Sequence, residues 1–176
     1  MKAYTDNLER LALQDPLTNL PNRKLFYDRL KQAILVGHRE HKSFVLFMLD
    51  LDRFKEINDT FGHYVGDVVL KEIGNRIMNT LRESDTVARI GGYEFAVLLP
   101  GANINYSKQV ALRLQNSMME PCVIEKHNLF IRLSIGIALF PYHGKEADPL
   151  MRRADAAMYT AKRNQLTYSI YLSGEE

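Results

Sequence analysis

The sequence predicts a mixed α/β sandwich, an α+β arrangement in which helices cover the faces of a mostly antiparallel sheet. Three observations predict it. Segments with apolar residues three and four apart recur along the chain and read as amphipathic helices. Among them lies Phe44-Val45-Leu46-Phe47-Met48-Leu49, a continuous apolar run of strand length. Two short segments flank Gly91-Gly92 like hairpin arms, and a later segment alternates apolar with polar or small residues. Helices interspersed with such strands argue for helices layered on a sheet.

Tyr4, Leu8 and Leu11 precede Asp15-Pro16 at helical spacing and suggest a short amphipathic linker helix within residues 1–14. A second helix follows Pro21-Asn22, with Leu25, Phe26, Leu30, Ile34 and Leu35 as its buried stripe. The apolar run that follows reads as a central strand covered on both faces, with Asp50 at its end. Leu70, Ile73, Ile77 and Leu81 share one face of a helix from Val68 to Leu81. Thr86 to Arg89 and Phe95 to Leu99 form the hairpin arms, and the glycines supply the turn. Asn105 to Met119 reads as helix. From Leu129 to Leu139, Ile131, Leu133, Ile135, Ile137 and Leu139 alternate with Arg132, Ser134, Gly136 and Ala138, the pattern of a half-buried strand. A turn from Pro141 to Gly144 leads into a helix from about Pro149 to Arg163 and a last short strand near Tyr168 to Tyr171. One domain over residues 15–172 is expected, with a tail at 173–176.

A chain of 176 residues, 46% hydrophobic and 25% charged, suits one globular domain with a sizeable core. Its 23 basic and 21 acidic residues are spread along the sequence without a block of like charge, which argues against nucleic acid as a partner. Cys122 is the sole cysteine, so an internal disulfide and a multi-cysteine zinc site are excluded; a buried thiol in a reducing, cytoplasmic compartment is expected. No apolar run approaches the roughly 20 residues of a membrane span, and residues 1–10 lack a secretory apolar core, so no membrane contact by this segment is expected. His38, His41, His127 and His143 show no ligand spacing and are expected at the surface.

Four motifs follow one another in the chain. The first is Asp15-Pro16-Leu17-Thr18-Asn19-Leu20-Pro21-Asn22-Arg23. The second is Asp50-Leu51-Asp52-Arg53-Phe54-Lys55-Glu56-Ile57-Asn58-Asp59-Thr60-Phe61-Gly62-His63-Tyr64-Val65-Gly66-Asp67. Arg89-Ile90-Gly91-Gly92-Tyr93-Glu94-Phe95 and Ala154-Asp155-Ala156-Ala157-Met158-Tyr159-Thr160-Ala161-Lys162 complete the set. With these motifs in this order, the chain resembles the GGDEF domain of the diguanylate cyclases from Asp15 to about Tyr171. The resemblance implies a nucleotidyl-cyclase-like sheet with GTP held across the Asp50 strand end and the Gly-Gly hairpin, and Mg2+ as the metal. In an active homodimer two GTP molecules face each other. Each 3′-hydroxyl attacks the other α-phosphate, pyrophosphate leaves, and cyclic di-GMP forms.

Residue by residue, the resemblance makes Asp50 and the Leu51 carbonyl metal ligands, chemistry that suits a hard divalent ion; by itself Asp50 also reads as a solvated strand-end carboxylate. Asn58 and Asp67 match the guanine readers, since an amide pairs with O6 and N7 and a carboxylate accepts from N1-H and N2-H. Asp67 alone also reads as a helix N-cap, and Asn58 as an Asx-turn residue. Arg53-Phe54-Lys55 match the loop whose backbone N-H groups hold the terminal phosphates, and Lys162 the lysine that adds positive charge there. A lysine near a helix end is otherwise solvated and favourable to the helix dipole. Asp59 and His63 belong to the same nucleotide motif, and His63 also reads as a structural histidine. Arg82-Glu83-Ser84-Asp85 stands where the family carries its inhibitory site for cyclic di-GMP, with Arg82 and Asp85 as its guanine contacts; a polar loop has the same spacing. A further arginine, supplied by a neighbouring domain, is not assigned.

Two departures bear on catalysis. Tyr93 replaces the acidic residue that shares the metals with Asp50, and a phenol with a pKa near 10 supplies no anion at neutral pH. Glu94 is retained, but neighbouring side chains in extended backbone point to opposite sides. After Lys162 the phosphate-binding arginine is replaced by Leu166, with Arg163 close enough in sequence to offer a shifted replacement. A charge-assisted hydrogen bond is worth roughly 1.5–3 kcal/mol and a misplaced metal several more; at about 1.4 kcal/mol per tenfold, the two losses slow turnover roughly a thousandfold or more. The expected function is a degenerate regulatory module that binds GTP or cyclic di-GMP, attached to an EAL-type phosphodiesterase or sensor domain. A working cyclase and a docking module without nucleotide are the alternatives.

Overall fold

The computed structural model describes residues 2–173, so most of the expected 173–176 tail lies outside the described residues, as does the side chain of Tyr4. In chain order the elements are α1 (Lys2–Leu13), α2 (Arg23–Glu40), β1 (Phe44–Leu51), α3 (Phe54–Phe61), α4 (His63–Thr80), β2 (Thr86–Gly91), β3 (Glu94–Pro100), α5 (Ile104–Ser117), β4 (Cys122–Ile124), β5 (His127–Leu129), β6 (Leu133–Phe140), α6 (Ala147–Arg163) and β7 (Tyr168–Ile170). Five strands form one sheet in the order β2-β3-β1-β6-β7, while β4 and β5 make a separate hairpin. β1 is antiparallel to both β3 and β6, β2 is antiparallel to β3, and β7 runs parallel to β6. The mixed α/β sandwich with a mostly antiparallel sheet is thus the observed fold.

β1 is buried at every position because both of its faces are covered. Its alternation sorts the residues between two cores. Val45, Phe47, Leu49 and Leu51 join Val69, Ile73 and Ile77 of α4 and Val110 and Leu114 of α5. Phe44, Leu46 and Met48 join Phe26, Leu30 and Ile34 of α2 and Leu150, Ala154 and Met158 of α6. Each of these side chains other than Ala154 removes apolar area worth about 1.5–3 kcal/mol from water. The strand period carries Asp50 onto the second of these faces, beneath α6.

The structure corrects several sequence expectations. Leu35 is 61% exposed, and Gly37 takes its place in the α2 stripe; the stripe advances from Ile34 by a further helical turn, and the edge of the Phe140 ring fills the room a Cβ at Gly37 would need. The helix expected from Val68 is α4, which begins five residues earlier at His63, and a further helix, α3, precedes it across a break at Gly62, whose φ of 90° favours glycine. Asp67 therefore lies inside α4 and is not an N-cap. Residues 127–129 belong to β5, and β6 is buried on both faces, not one. The reason is Gly136: an added Cβ would land on the Ala154 carbonyl oxygen and the Met158 backbone nitrogen, so α6 rests directly on the strand. His143 is half-buried instead of a surface residue. Its Nδ1 accepts from the Leu139 N–H at 2.9 Å and its ring meets Tyr171 edge-on. Cys122 is buried, as expected.

Candidate functional site

The C-terminal end of β1 is where the motif residues converge. Asp50 is 5% exposed, faces Glu94 of β3 across the ladder, and its Oδ2 accepts from Lys162 Nζ of α6 at 2.8 Å. Its Oδ1 is buried without a hydrogen-bond partner. Burial pushes the Asp50 carboxyl above its ordinary range despite the lysine, and the nearby charges of Asp52 and Asp155 push the same way. Lys162 is the less buried of the two; burial works to lower it, but the bond and charge of Asp50 hold it above the ordinary lysine value.

Tyr93 and Glu94 diverge, as adjacent residues at a strand end do. The Tyr93 ring packs on Phe54 at 5.5 Å between centroids, and Lys162 Nζ lies 5.7 Å from the Tyr93 ring centre. Glu94 instead lines a cavity of about 300 Å³ with Arg23, Tyr27, Met151 and Asp155. Burial, followed by the charges of Asp155 and Asp50, raises the Glu94 carboxyl, and burial raises Asp155. Asp155 was quoted in its motif but given no role at the sequence level; its approach to the strand end depends on a helix docked more than 100 residues away, which no local pattern announces.

Beyond Leu51 the chain turns through Arg53, which has a left-handed φ of 58°, into α3. Phe54 and Lys55 are thus the first residues of a helix, not of a loop, and their N–H groups have no acceptor within it. Phe54 is buried and Lys55 exposed. Asn58 turns Oδ1 into the contact between α3 and α4, where it is buried without a partner beside Gly66. A Cβ at Gly66 would overlap that oxygen, so this glycine is what lets the two helices approach. Asp67 follows on the exposed side of α4, and Asp59 and His63 are exposed nearby in sequence. Arg163 lies over the Tyr159 ring at 5.8 Å, and Leu166 is 46% exposed.

The turn of the hairpin is fastened from the N-terminal motif. Arg89 donates to the Gly92 carbonyl from Nε at 2.9 Å and from a terminal nitrogen at 2.8 Å, while its other terminal nitrogen meets both Asp15 oxygens at 3.1 and 3.3 Å. Burial works to raise Asp15, but bonds from Thr18 and the Arg89 charge hold it below the usual carboxylate range.

Arg82 and Asp85 close a turn on each other: the Arg82 N–H donates to Asp85 Oδ2 at 2.9 Å and the Asp85 N–H to the Arg82 carbonyl at 3.0 Å. The Arg82 guanidinium stacks over Tyr106 at 4.0 Å from the ring centre, and Arg113 donates to the Tyr106 hydroxyl at 3.3 Å. Tyr106 and Arg113 were missed at the sequence level. Their separation of seven residues places them two turns apart on one face of α5, but only the fold brings that face to Arg82.

These residues do not make a preformed divalent site. Among the described residues no group of three His, Cys, Asp or Glu side chains is arranged to hold a metal ion. Among the described residues Asp50 is the one buried carboxylate; it is paired with the Lys162 ammonium, whose Nζ lies 5.7 Å from the centre of the Tyr93 ring. Mg2+ asks for near-ideal octahedral oxygen coordination, and the carboxyls of Glu94 and Asp155 line a cavity with Arg23 and Arg152. Among the described residues no helix is long and apolar enough to cross a membrane.

The family profile described as "Diguanylate cyclase, GGDEF domain" matches residues 12–167. The chain is 44% identical over 155 residues to the bifunctional diguanylate cyclase/cyclic di-GMP phosphodiesterase MucR of Pseudomonas aeruginosa, covering 88% of this chain and 23% of that protein. It superposes on the GGDEF domain of TpbB from Pseudomonas aeruginosa with a TM-score of 0.89 and 41% identity, over 92% of this chain and 96% of that one. The coiled coil and GGDEF domain of DgcB from Caulobacter crescentus, solved with cyclic di-GMP, matches with a TM-score of 0.87 and 29% identity, over 97% and 90% of the two chains. The chain spans between a fifth and two fifths of the length of the curated relatives it matches.

Proposed function

We propose that this chain, which belongs to the diguanylate cyclase GGDEF family, is a nucleotide-responsive regulatory domain of cyclic di-GMP signalling whose own cyclase turnover is lost or very weak. The observation that carries the reading is the state of the strand end. Members of the family generally use Mg2+, yet here Tyr93 stands in place of an acid and Lys162 already pairs with Asp50. GTP is assigned to the cleft at α3 and α4. Asp67 accepts from the guanine N1-H and N2-H, and Asn58, with Oδ1 turned toward Gly66, offers its NH2 to O6 or N7. The first N–H groups of α3 at Phe54 and Lys55, with Lys162, receive the phosphates. Asp59 and His63 border the nucleotide, and Mg2+ binding is weakened.

Cyclic di-GMP is assigned to Arg82 and Asp85. Tyr106 supports the reading by holding the Arg82 guanidinium over its ring, and Arg113 brings a second cation to the same tyrosine. The bound complex of DgcB makes the ligand class credible for a chain of this fold. The partners are a second copy in a homodimer and an attached EAL or sensor domain; the similarity to MucR, a bifunctional diguanylate cyclase/cyclic di-GMP phosphodiesterase, supports the former of those attachments. The segment acts in the cytoplasm.

A working cyclase is the second reading. It is favoured by the unpartnered Asp50 Oδ1 and by Glu94 directly across the ladder from it. Calorimetric titration with GTP plus Mg2+ and, separately, with cyclic di-GMP, followed by product assay of the GTP samples, separates the two. Binding without product is expected; product formation would make the chain an enzyme. Asp67→Ala is expected to weaken GTP at least tenfold while sparing cyclic di-GMP, and Arg82→Ala to do the reverse. Equal affinities in either variant would remove the corresponding assignment.

A further inference from the structure

We infer that Lys162 is the resident cation of the nucleotide site, so that this chain binds the triphosphate of GTP without a divalent ion. The inference deepens the proposal above and rests on its assignment of GTP to this site.

Three observations converge on the ammonium. Its distance of 2.8 Å to Asp50 Oδ2 is that of a charge-assisted bond, made to a carboxylate whose side chain is only 7% exposed. The anion that would otherwise recruit a metal is thus matched by a charge the chain itself carries. The face of Tyr93 completes the setting: Nζ lies 5.7 Å from its ring centre, within the range at which an aromatic quadrupole attracts a cation. That ring is fixed in turn against Phe54, the buried first residue of α3, so it is held at the mouth of the site. Finally, no three-residue metal cluster exists among the described residues. Lys162 is also half-exposed, unlike Asp50, so its remaining donors are open toward a ligand.

Charge arithmetic explains why this arrangement disfavours a metal. Within the pair one carboxylate and one ammonium sum to zero, the carboxyls of Glu94 and Asp155 line a cavity that they share with Arg23 and Arg152, and a divalent ion entering beside Asp50 meets the lysine as a like charge. A triphosphate needs no such ion if its negative charge falls on Lys162 and on the N–H groups that open α3. The substitution of an acid by Tyr93 is then a change of cation, from an exchangeable ion to a tethered ammonium, and not only a loss.

The test compares GTP affinity of the intact chain in Mg2+ and in excess EDTA by calorimetry, together with a Mn2+ titration of the ligand-free chain followed by electron spin resonance. The expected result is an affinity that differs less than about threefold between the two buffers and no stoichiometric Mn2+ binding. GTP binding that requires Mg2+, or one tightly bound Mn2+ per chain, overturns the inference and leaves the GTP assignment standing. No GTP binding in either buffer overturns the assignment and this inference with it. Lys162→Met is expected to lose GTP affinity at least tenfold in EDTA and to recover part of it when Mg2+ is added, because Asp50 is released. A merely structural lysine would give no Mg2+ response. Should that variant fail to fold, Tyr93→Glu reports instead: it is expected to acquire the Mg2+ dependence that the parent lacks.

Discussion

Three carboxyl groups at the strand end, on Asp50, Glu94 and Asp155, share a direction of shift, and in each the first cause is burial. A carboxyl raised on folding contributes stability that is fully present below its unfolded value and is lost as pH rises through its folded value. At neutral pH these groups therefore weigh against the folded state, a burden expected where function, not stability, has placed them. Asp155 is the one to test, because it makes no hydrogen bond that would be sacrificed among those described, and its charge raises both Asp50 and Glu94. Asp155→Asn is expected to raise the melting temperature at neutral pH, with the gain fading as pH falls through the raised folded values and gone below about pH 4, where the carboxyl is protonated folded and unfolded alike. Calorimetric melting across that range decides it: no gain at neutral pH, or a gain that persists in acid, would show that burial of the carboxylate does not weigh against the fold. None of this was legible in the sequence. Asp155 could be read as a motif letter, but its burial and its effect on the carboxyls of β1 and β3 follow only from the fold.

Among the elements, those with one clear period were the readable ones. β1 announced itself as an uninterrupted apolar run, and the Gly91-Gly92 hairpin by its turn residues. The boundary between α3 and α4 was hidden because Gly62 breaks the backbone without interrupting the polar character of the motif around it, so Arg53-Phe54-Lys55 reads as loop and no element is expected over residues 56–61. The β4 and β5 hairpin was missed for a different reason: three-residue strands carry too little alternation to register. β6 misled through composition. Ser134, Gly136 and Ala138 looked like a solvent face, yet they are small so that α6 can lie against them. This contact sets the height of α6 over the sheet and with it the reach of Lys162 to Asp50. Gly136→Ala places a methyl where backbone atoms of Ala154 and Met158 now are, and no rotamer change relieves it. The expected cost is about 3 kcal/mol or more, beyond ordinary overpacking because the obstacle is main chain. Urea unfolding measures it; a variant of parental stability would mean that α6 is free to rise.

Across the whole molecule, the order of the motifs was legible from the first letter to the last, while the strand order β2-β3-β1-β6-β7 was not, because it pairs segments that the chain keeps far apart. Asp15 and Arg89 illustrate the difference. Each sat in a quoted motif, but that they form one ion pair, with side chains 15% and 17% exposed, follows only from the sheet. Their pair lies in a continuous path. Asn22 bonds the end of α1 through the Leu13 and Ala12 carbonyls, Pro21 accepts from the Arg89 N–H at 3.1 Å, and Arg89 grips both Asp15 and the Gly92 carbonyl. The segment joining α1 to α2 is thereby tied to the glycine turn beside Tyr93. Arg89→Ala removes the charge-assisted bonds and leaves a largely buried carboxylate held by Thr18 alone, an expected loss of about 3 kcal/mol. Because Asp15 is held low, its share of that stability is present at neutral pH and is lost as pH falls through its folded value, so parent and variant should converge in strong acid. Local opening is the sharper readout, since hydrogen exchange resolves which segments depend on the clamp. Amides over residues 14–22 and over the turn at 91–93 should lose protection together, with α5 and the β4 and β5 hairpin unchanged. Faster exchange at the turn alone would show that the two segments are neighbours without being coupled, and that movement of α1 has no mechanical route to the site through Arg89.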